Sequence, residues 1–337
     1  MHNSSKICLI SFDNWNYDKE IIVALKSRNI DCAHINLGKF AHKNLLEQFT
    51  NLLSKIFLNK NPKLKKRQEF ILEYLEKTGP YNQILVINPE LIDEEYHHKI
   101  KNFTNRYVAY LYDSIERFSI EHLTQGVFDK IFSFDAGDCE KYGFQKTNNY
   151  IYLPEQKISD NSTYNALTIT SFDKRFPNYN SIANYLSLKN INFKFVFVSR
   201  NIVYKQLKYN FKALIFKNKT VSNSKNIFKE KKIPLEKLLQ EYQNTKCIVD
   251  LVHKNQLGLS FRVFEAMALK KKIITDNVAI KKYDFFDNSN IYVVENNIID
   301  IPKSFFETTY KDVQPEIYKQ YTIDSWVARI FNLDQIS

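Results

Sequence analysis

The hydrophobic positions of the chain fall into short apolar runs separated by amphipathic stretches, and the two kinds alternate from end to end. Short apolar runs bounded by polar residues read as buried strands. Recurrence at helical spacing reads as helices with one core-facing stripe. In the first half this predicts strands near Ile7–Phe12, Asp31–Asn36, Gln83–Ile87, Arg106–Tyr112, Lys130–Phe134 and Asn149–Leu153. Helices are predicted between them at Glu20–Arg28, Lys43–Leu58, Gln68–Lys77 and Glu94–Phe103. From about Pro154 to Tyr164 the pattern lapses into the polar stretch PEQKISDNSTY, which reads as a linker. A second series then places strands at Ala166–Thr170, Phe193–Val198, Ala213–Phe216, Cys247–Leu251, Lys272–Thr275 and Asn290–Val294. Its helices lie at Ser181–Leu188 and Leu235–Gln243, the latter with Pro234 suited to the first helical position. Residues from Val313 to Asn332 read as helical. Strands that alternate with helices predict parallel sheets covered on both faces. The expected architecture is therefore α/β, two Rossmann-like doubly wound domains facing a cleft. The first spans 1–155 and the second 165–310, and a helical tail at 311–337 packs back towards the first.

Composition fits this picture. A chain of 337 residues suits two domains, and a hydrophobic share of 44% supplies their cores. With 6 Gly and 8 Pro, the chain is neither disordered nor a repetitive β protein. The net charge of +11, mostly from Lys, suits anionic partners: nucleotide phosphates, an acidic membrane face or nucleic acid. A Lys/Asn/Ile-rich coding style gives the same excess. The four cysteines, Cys8, Cys32, Cys139 and Cys247, are scattered and form no C-x-x-C pair, which fits a reduced compartment better than a disulfide or zinc framework. The start, MHNSSKICLISF, is too short and too soon interrupted for a signal peptide. No stretch approaches the roughly 18 apolar residues of a membrane span, so membrane contact is expected to be peripheral. Neither G-x-G-x-x-G nor G-x-x-x-x-G-K-[ST] occurs, which argues against a dinucleotide site or P-loop.

The most informative stretch is QLGLSFRVFEAMALKKKIITDN, from Gln256 to Asn277. Gly258 suits a tight turn and close backbone approach. Ser260 is a good N-cap. Val263, Phe264, Met267 and Ala268 give the helix a buried stripe, and Lys272–Thr275 is a short strand. A loop made of Gly258, Leu259 and Ser260 at a helix N-terminus offers backbone N–H groups and a positive dipole end to an anion. Arg262 adds a planar guanidinium suited to phosphate. Glu265 adds a carboxylate that can hold two neighbouring sugar hydroxyls. Together they read as a cradle for a nucleotide diphosphate sugar. The competing reading is an ordinary loop–helix–strand unit with a solvated Arg and Glu.

Preceded by PLEKLLQEYQNTKCIVDLVHKNQ, this segment resembles the donor site of bacterial GT-B glycosyltransferases, especially those of lipopolysaccharide core and capsular polysaccharide biosynthesis. LVINPELID, YVAYLYDSIERF and FDKIFSFDAGDCEKYGF resemble the acceptor-side domain of that group. The resemblance implies a metal-independent enzyme without a cofactor. It would move a sugar from a nucleotide-activated donor to a hydroxyl of a bacterial surface glycan or glycolipid, in the cytoplasm or at the inner membrane. The second glutamate of the E-x7-E pattern of retaining members, which holds the donor ribose, carries over to Glu265. The first falls on Leu257, so retention or inversion stays open.

Further candidates follow strand ends. Lys174 and Arg175, in SFDKRF, occupy the loop that in this family often gives basic groups to the diphosphate. Ser199 and Arg200 are a second such pair. His253 can meet the donor sugar, act in proton transfer or be a structural histidine. Asp113 can take the acceptor hydroxyl's proton, bind that hydroxyl, or cap the following turn. Asp13 and Asn14 are acceptor-binding candidates against the plain reading of a β–α turn. The basic run from Asn59 to Gln68 is a solvated segment or touches anionic lipid. A nucleic-acid binder would interleave aromatics with Arg and Lys on one face. Here Phe and Tyr lie mostly in predicted core elements, so nucleic acid is not expected as a partner. Two alternatives to the transferase remain: a basic nucleic-acid-binding protein, and an inactive scaffold that binds a glycan or a partner.

Overall fold

The computed structural model describes residues 5–13, 17–38, 62–115, 126–157, 162–215 and 221–333. It divides into two compact units, Met1–Asn148 with Ile323–Ser337, and Asn149–Thr322.

The first unit is built on a parallel six-stranded sheet in the order β2-β1-β3-β4-β5-β6. Its strands are β1 (Lys6–Ser11), β2 (Asp31–Asn36), β3 (Tyr81–Ile87), β4 (Thr104–Leu111), β5 (Lys130–Ser133) and β6 (Gln145–Lys146). Helices α1 (Tyr17–Ser27), α2 (Pro62–Thr78), α3 (Glu94–Lys101) and α4 (Ala136–Tyr142) lie between them. Ile7, Cys8, Leu9 and Ile10 of β1 are all fully buried, as befits a central parallel strand covered on both faces.

The second unit carries another parallel six-stranded sheet, ordered β12-β11-β10-β7-β8-β9. These strands are β7 (Tyr164–Ser171), β8 (Phe193–Val198), β9 (Ile227–Lys229), β10 (Thr245–Asp250), β11 (Lys272–Thr275) and β12 (Ile291–Val293). The helices are α5 (Phe176–Leu188), α6 (Ile202–Ile215), α7 (Leu235–Gln243), α8 (Phe261–Ala268), α9 (Lys303–Glu307) and α10 (Pro315–Gln320). In each sheet the strand order reverses once, between β1 and β3 and between β7 and β10. In doubly wound folds such a switch point opens a crevice outside the carboxyl ends of the strands, and ligands bind there.

Several sequence expectations are corrected. Ala213–Ile215 is the end of α6 and not a strand; the edge strand is β9. A short apolar run does not itself distinguish helix from strand, and here Ile202 and Ala213 continue one buried helical face. No strand forms at Asn149–Leu153. Ile151 makes an isolated bridge to Thr322, and β6 completes the first sheet instead. Pro234 is the N-cap of α7, one position before the first helical residue. The unit boundary falls at 148–149, ahead of the polar stretch, because Asn149 and Ile151 pack with the second unit: the Asn149 side chain donates to the Leu259 carbonyl and the Ile151 amide to the Tyr321 carbonyl. Residues 311–322 also stay with that unit, where Asn290 pairs with Lys311 and the Tyr321 hydroxyl donates to Asp284 at 2.6 Å. The helix expected at Lys43–Leu58 lies outside the described residues.

Only α11 (Ile323–Phe331) joins the first unit. Its Trp326 is buried against the Tyr110 ring at 5.1 Å. Its last carbonyls accept from Arg106 Nη1 (Ile330, 2.8 Å) and Gln83 Nε2 (Phe331, 2.8 Å), a cation and an amide at the negative helix end. Removing a fully buried large aromatic side chain leaves a cavity, so Trp326→Ala should cost about 3–5 kcal/mol of stability. Urea unfolding monitored by circular dichroism measures this.

Candidate functional site

The second unit concentrates its chemistry at its switch point. Asp250 ends β10 and is 1% exposed. Its carboxylate accepts from Ser260 Oγ at 2.5 Å and from Arg262 Nη1 at 2.9 Å. Ser260 is the N-cap of α8 as expected, its Oγ accepting from the Arg262 amide at 3.2 Å. One carboxylate therefore fixes both the helix start and the guanidinium. Arg262 Nη2 reaches across to β7, 3.4 Å from the Ile169 carbonyl and 3.5 Å from Thr170 Oγ1.

Arg175 comes to the same hydroxyl from the other side, with Nη2 3.3 Å from Thr170 Oγ1. Its Nη1 donates to the Leu251 carbonyl at 2.9 Å, and it pairs with Asp173 through Nη2 (2.7 Å) and Nε (3.1 Å). Burial pushes the Asp173 carboxyl up, but Arg175 more than offsets it and the net shift is downward. The field of His253 also lowers it. Asp276 accepts from the Val252 amide at 2.8 Å, and burial raises its pKa. Two forked cations, each balanced by a carboxylate, thus meet at the junction of β7 and β10.

The loop leading into α8 is held by its carbonyls. Gly258 O accepts from Gln256 Nε2 at 3.0 Å and Asn277 Nδ2 at 3.2 Å; Leu259 O accepts from Asn149 Nδ2 at 2.9 Å. The left-handed backbone in this loop belongs to Asn255, with φ 67°. Glu265 is 1% exposed, and its Oε1 accepts from the Tyr152 hydroxyl at 2.7 Å. Tyr152 is half-buried and sets its ring edge-on to Phe261. Lys174 and Arg200 are exposed. Ser199 is tied elsewhere, its amide to the Lys229 carbonyl and its Oγ to Lys205 Nζ at 2.6 Å. The structure thus brings Ser260, Arg262, Arg175 and His253 into one neighbourhood, while Ser199 has its recorded contacts outside it.

The first unit gathers acids at the carboxyl ends of β1, β3 and β4. Asp13 follows β1, and its Oδ2 accepts from the Asp18 amide at 3.0 Å. Asp18 is fully buried. Burial, with Asp13 adding, pushes its carboxyl up to about 7. The Tyr112 hydroxyl donates to Asp18 Oδ1. Asp113 follows β4 and is half-buried. Glu90 is raised by burial, with Asp113 contributing. The turn after Asp113 is held by Asp138, which accepts from Ser114 Oγ and the Ile115 amide, both at 3.0 Å. Asn14 lies outside the described residues. Among the described residues, no group of three His, Cys, Asp or Glu is placed to hold a metal ion, and no helix is long and apolar enough to cross a membrane.

Sequence reasoning missed Asp250, Asp173, Thr170, Tyr152, Asp18 and Glu90. Asp250 was findable: like Asp113, it is the first charged residue after an apolar strand. Asp18 gave no such signal, since an acid in a first helical turn is ordinary.

These two units have the two-domain GT-B Rossmann-like fold. An α-glucosyltransferase in complex with UDP and a 13-mer DNA containing a HMU base superposes with a TM-score of 0.59 at 12% identity, covering 99% of this chain and 100% of its own. A trehalose-6-phosphate protein from E. coli, bound with UDP-2-fluoro glucose, gives 0.57 at 11% identity over 99% of each chain. AviGT4, a glycosyltransferase involved in avilamycin A biosynthesis, gives 0.60 at 8% identity over 98% of this chain and 97% of its own. No family model and no curated protein matches the chain.

Two outcomes follow from the buried acids. Asp250→Ala strips Arg262 of its carboxylate, and breaking a buried ion pair should cost about 3–5 kcal/mol, read by chemical denaturation. Asp18 has a folded pKa of about 7, above the roughly 3.9 of an unfolded Asp. The native state therefore holds the extra proton, and the stability from Asp18 is lost as pH rises from about 4 through about 7. Asp18→Asn should be more stable than the parent above pH ~7, with the gap closing towards pH ~4. Unfolding curves at the two pH values test this, and a gap that does not change with pH would count against it.

Proposed function

We propose that the chain is a GT-B glycosyltransferase whose Asn149–Thr322 unit binds a nucleotide diphosphate sugar. The observation that carries this is the Asp250–Ser260–Arg262 lock, which sets a helix N-terminus and a guanidinium together at a switch point. Structures of this fold in complex with UDP or a UDP sugar support it. In this reading the diphosphate meets the backbone of Gly258, Leu259 and Ser260 and the positive end of α8. Arg262 and Arg175 answer its charge as the leaving group departs, and no metal or cofactor is needed. Lys174, Arg200 and His253 are further donor-side groups, while Ser199 is left out because it is tied to Lys205 and Lys229. Glu265 takes the ribose hydroxyls, which then replace the Tyr152 hydroxyl.

The acceptor is a hydroxyl of a bacterial surface glycan or glycolipid. Asp13 and Asn14 bind it, and Asp113 takes its proton. A second reading, with DNA as the acceptor, is favoured by the charge of +11 and by the neighbours in complex with DNA.

A thermal-shift panel of UDP, GDP, ADP, CDP and CMP tests the donor reading. A ligand at 100 Kd stabilises by about 2.7 kcal/mol, and no shift with any of the five would sink it. Arg262→Lys keeps the charge that balances Asp250 but loses the fork. It should weaken nucleotide binding about 10- to 100-fold, the equivalent of one charge-assisted hydrogen bond. Glu265→Gln should also weaken nucleotide binding while the melting temperature stays close. Once turnover is established with a glycan or hydroxylated-DNA acceptor, Asp113→Asn should cut it by at least about 100-fold with nucleotide affinity kept.

A further inference from the structure

Helix α6 has two apolar faces, and only one of them is used by the fold. Ile202 and Ala213 are buried against the sheet, with Tyr209 packed among Phe172 and Phe176. A separate set, Val203, Tyr204, Leu207, Phe211, Leu214 and Ile215, is 55–69% exposed. At about 100° per residue these six fall within one arc of about 120°, uninterrupted by a polar side chain. Lys205, Lys208 and Lys212 are exposed and follow one border of that arc, between it and the buried face. Nζ of Lys208 lies 5.9 Å from the centre of the Tyr204 ring. The helix contains no Asp or Glu.

From this arrangement we propose that α6 docks the protein on an anionic lipid bilayer, lying in the plane of its surface. The apolar arc enters the boundary between headgroups and acyl chains. The lysine row, set back towards the protein body, comes level with the lipid phosphates. Cations along one border of a continuous apolar stripe suit such a surface, where each basic residue adds attraction that salt screens. A second copy of the chain fits less well, since α6 offers no carboxylate to the other copy's lysines. Nucleic acid would answer the lysines and leave six large apolar side chains in water. The proposal does not depend on the donor reading, since α6 is distinct from the Asp250–Arg262 cluster.

The test is co-sedimentation of the full chain with phosphatidylcholine vesicles and with mixed phosphatidylcholine/phosphatidylglycerol vesicles. Binding should favour the mixed vesicles and fall with added salt. The double variant Leu207→Ser/Phe211→Ser should lower partitioning by about tenfold or more at an unchanged melting temperature, since both side chains are exposed. Lys208→Glu/Lys212→Glu should abolish the preference for phosphatidylglycerol. The proposal falls if the parent protein stays in the supernatant with mixed vesicles, or if either double variant binds them like the parent. It falls equally if α6 proves to be a self-association face, with a dimer by light scattering that Leu207→Ser/Phe211→Ser dissolves without changing vesicle binding. Binding to a random oligonucleotide that needs Lys208 and Lys212 but not Leu207 and Phe211, without vesicle binding, would assign the face to nucleic acid instead.

Discussion

The second unit depends on one buried carboxylate. Asp250 sits at the end of a central strand with almost no contact with water, and an unpaired charge there would be intolerable. Its two partners are the residues that start α8. Ser260 ends the extended segment and caps the helix, and Arg262 reaches back over the strand ends to β7. The start of α8 and the reach of Arg262 towards β7 follow from satisfying Asp250. The same contacts leave a helix N-terminus and the Arg262 guanidinium at the place where doubly wound sheets bind ligands.

The first unit solves its charge problem in the opposite way. Asp18 is fully buried, yet it has Asp13 as a neighbour and, among the described residues, no cation bonded to it. The site then favours the proton, and the carboxyl moves into the range where it changes state near neutrality. Glu90, after β3, repeats the theme: burial raises its carboxyl, with Asp113 after β4 contributing. Where the second unit balances acids with arginines, this one concentrates acids and raises the carboxyls of Asp18 and Glu90. That contrast is what acid–base work and phosphate binding would ask of two separate units.

What was legible in the sequence was whatever depended on local pattern. The alternating runs gave the parallel sheets, and Ser260 announced itself as a cap because the preference for Ser there is local. The errors fall where tertiary contact decides. The run from Ala213 to Phe216 reads as a strand by composition, but its described residues, 213–215, end α6 because Ala213 lands on the face that Ile202 already buries. Asn149–Leu153 looks extended, and its residues instead bond the α8 loop and the end of α10, far away in sequence. The pairing of Arg175 with Asp173 lies only two residues apart, yet its third partner, the Leu251 carbonyl, could not be read from spacing.

Glu265 shows how the candidate site and the fold constrain each other. A carboxylate can take two hydroxyls side by side, and here the Tyr152 phenol donates to one of its oxygens. The carboxylate is 1% exposed, so any sugar that reaches it must first displace the ring that shields it. Tyr152 lies in the irregular segment after β6, held at its end by the Gln156 amide on the Ala268 carbonyl of α8. Moving the ring therefore loads the same helix that Asp250 anchors at its other end. Exchange of the Tyr152 hydroxyl for those of a sugar would ask the helix to stay fixed while the ring leaves. A rigid N-terminus locked by Ser260 and Arg262, with an irregular strap carrying Tyr152, divides those two tasks between different elements.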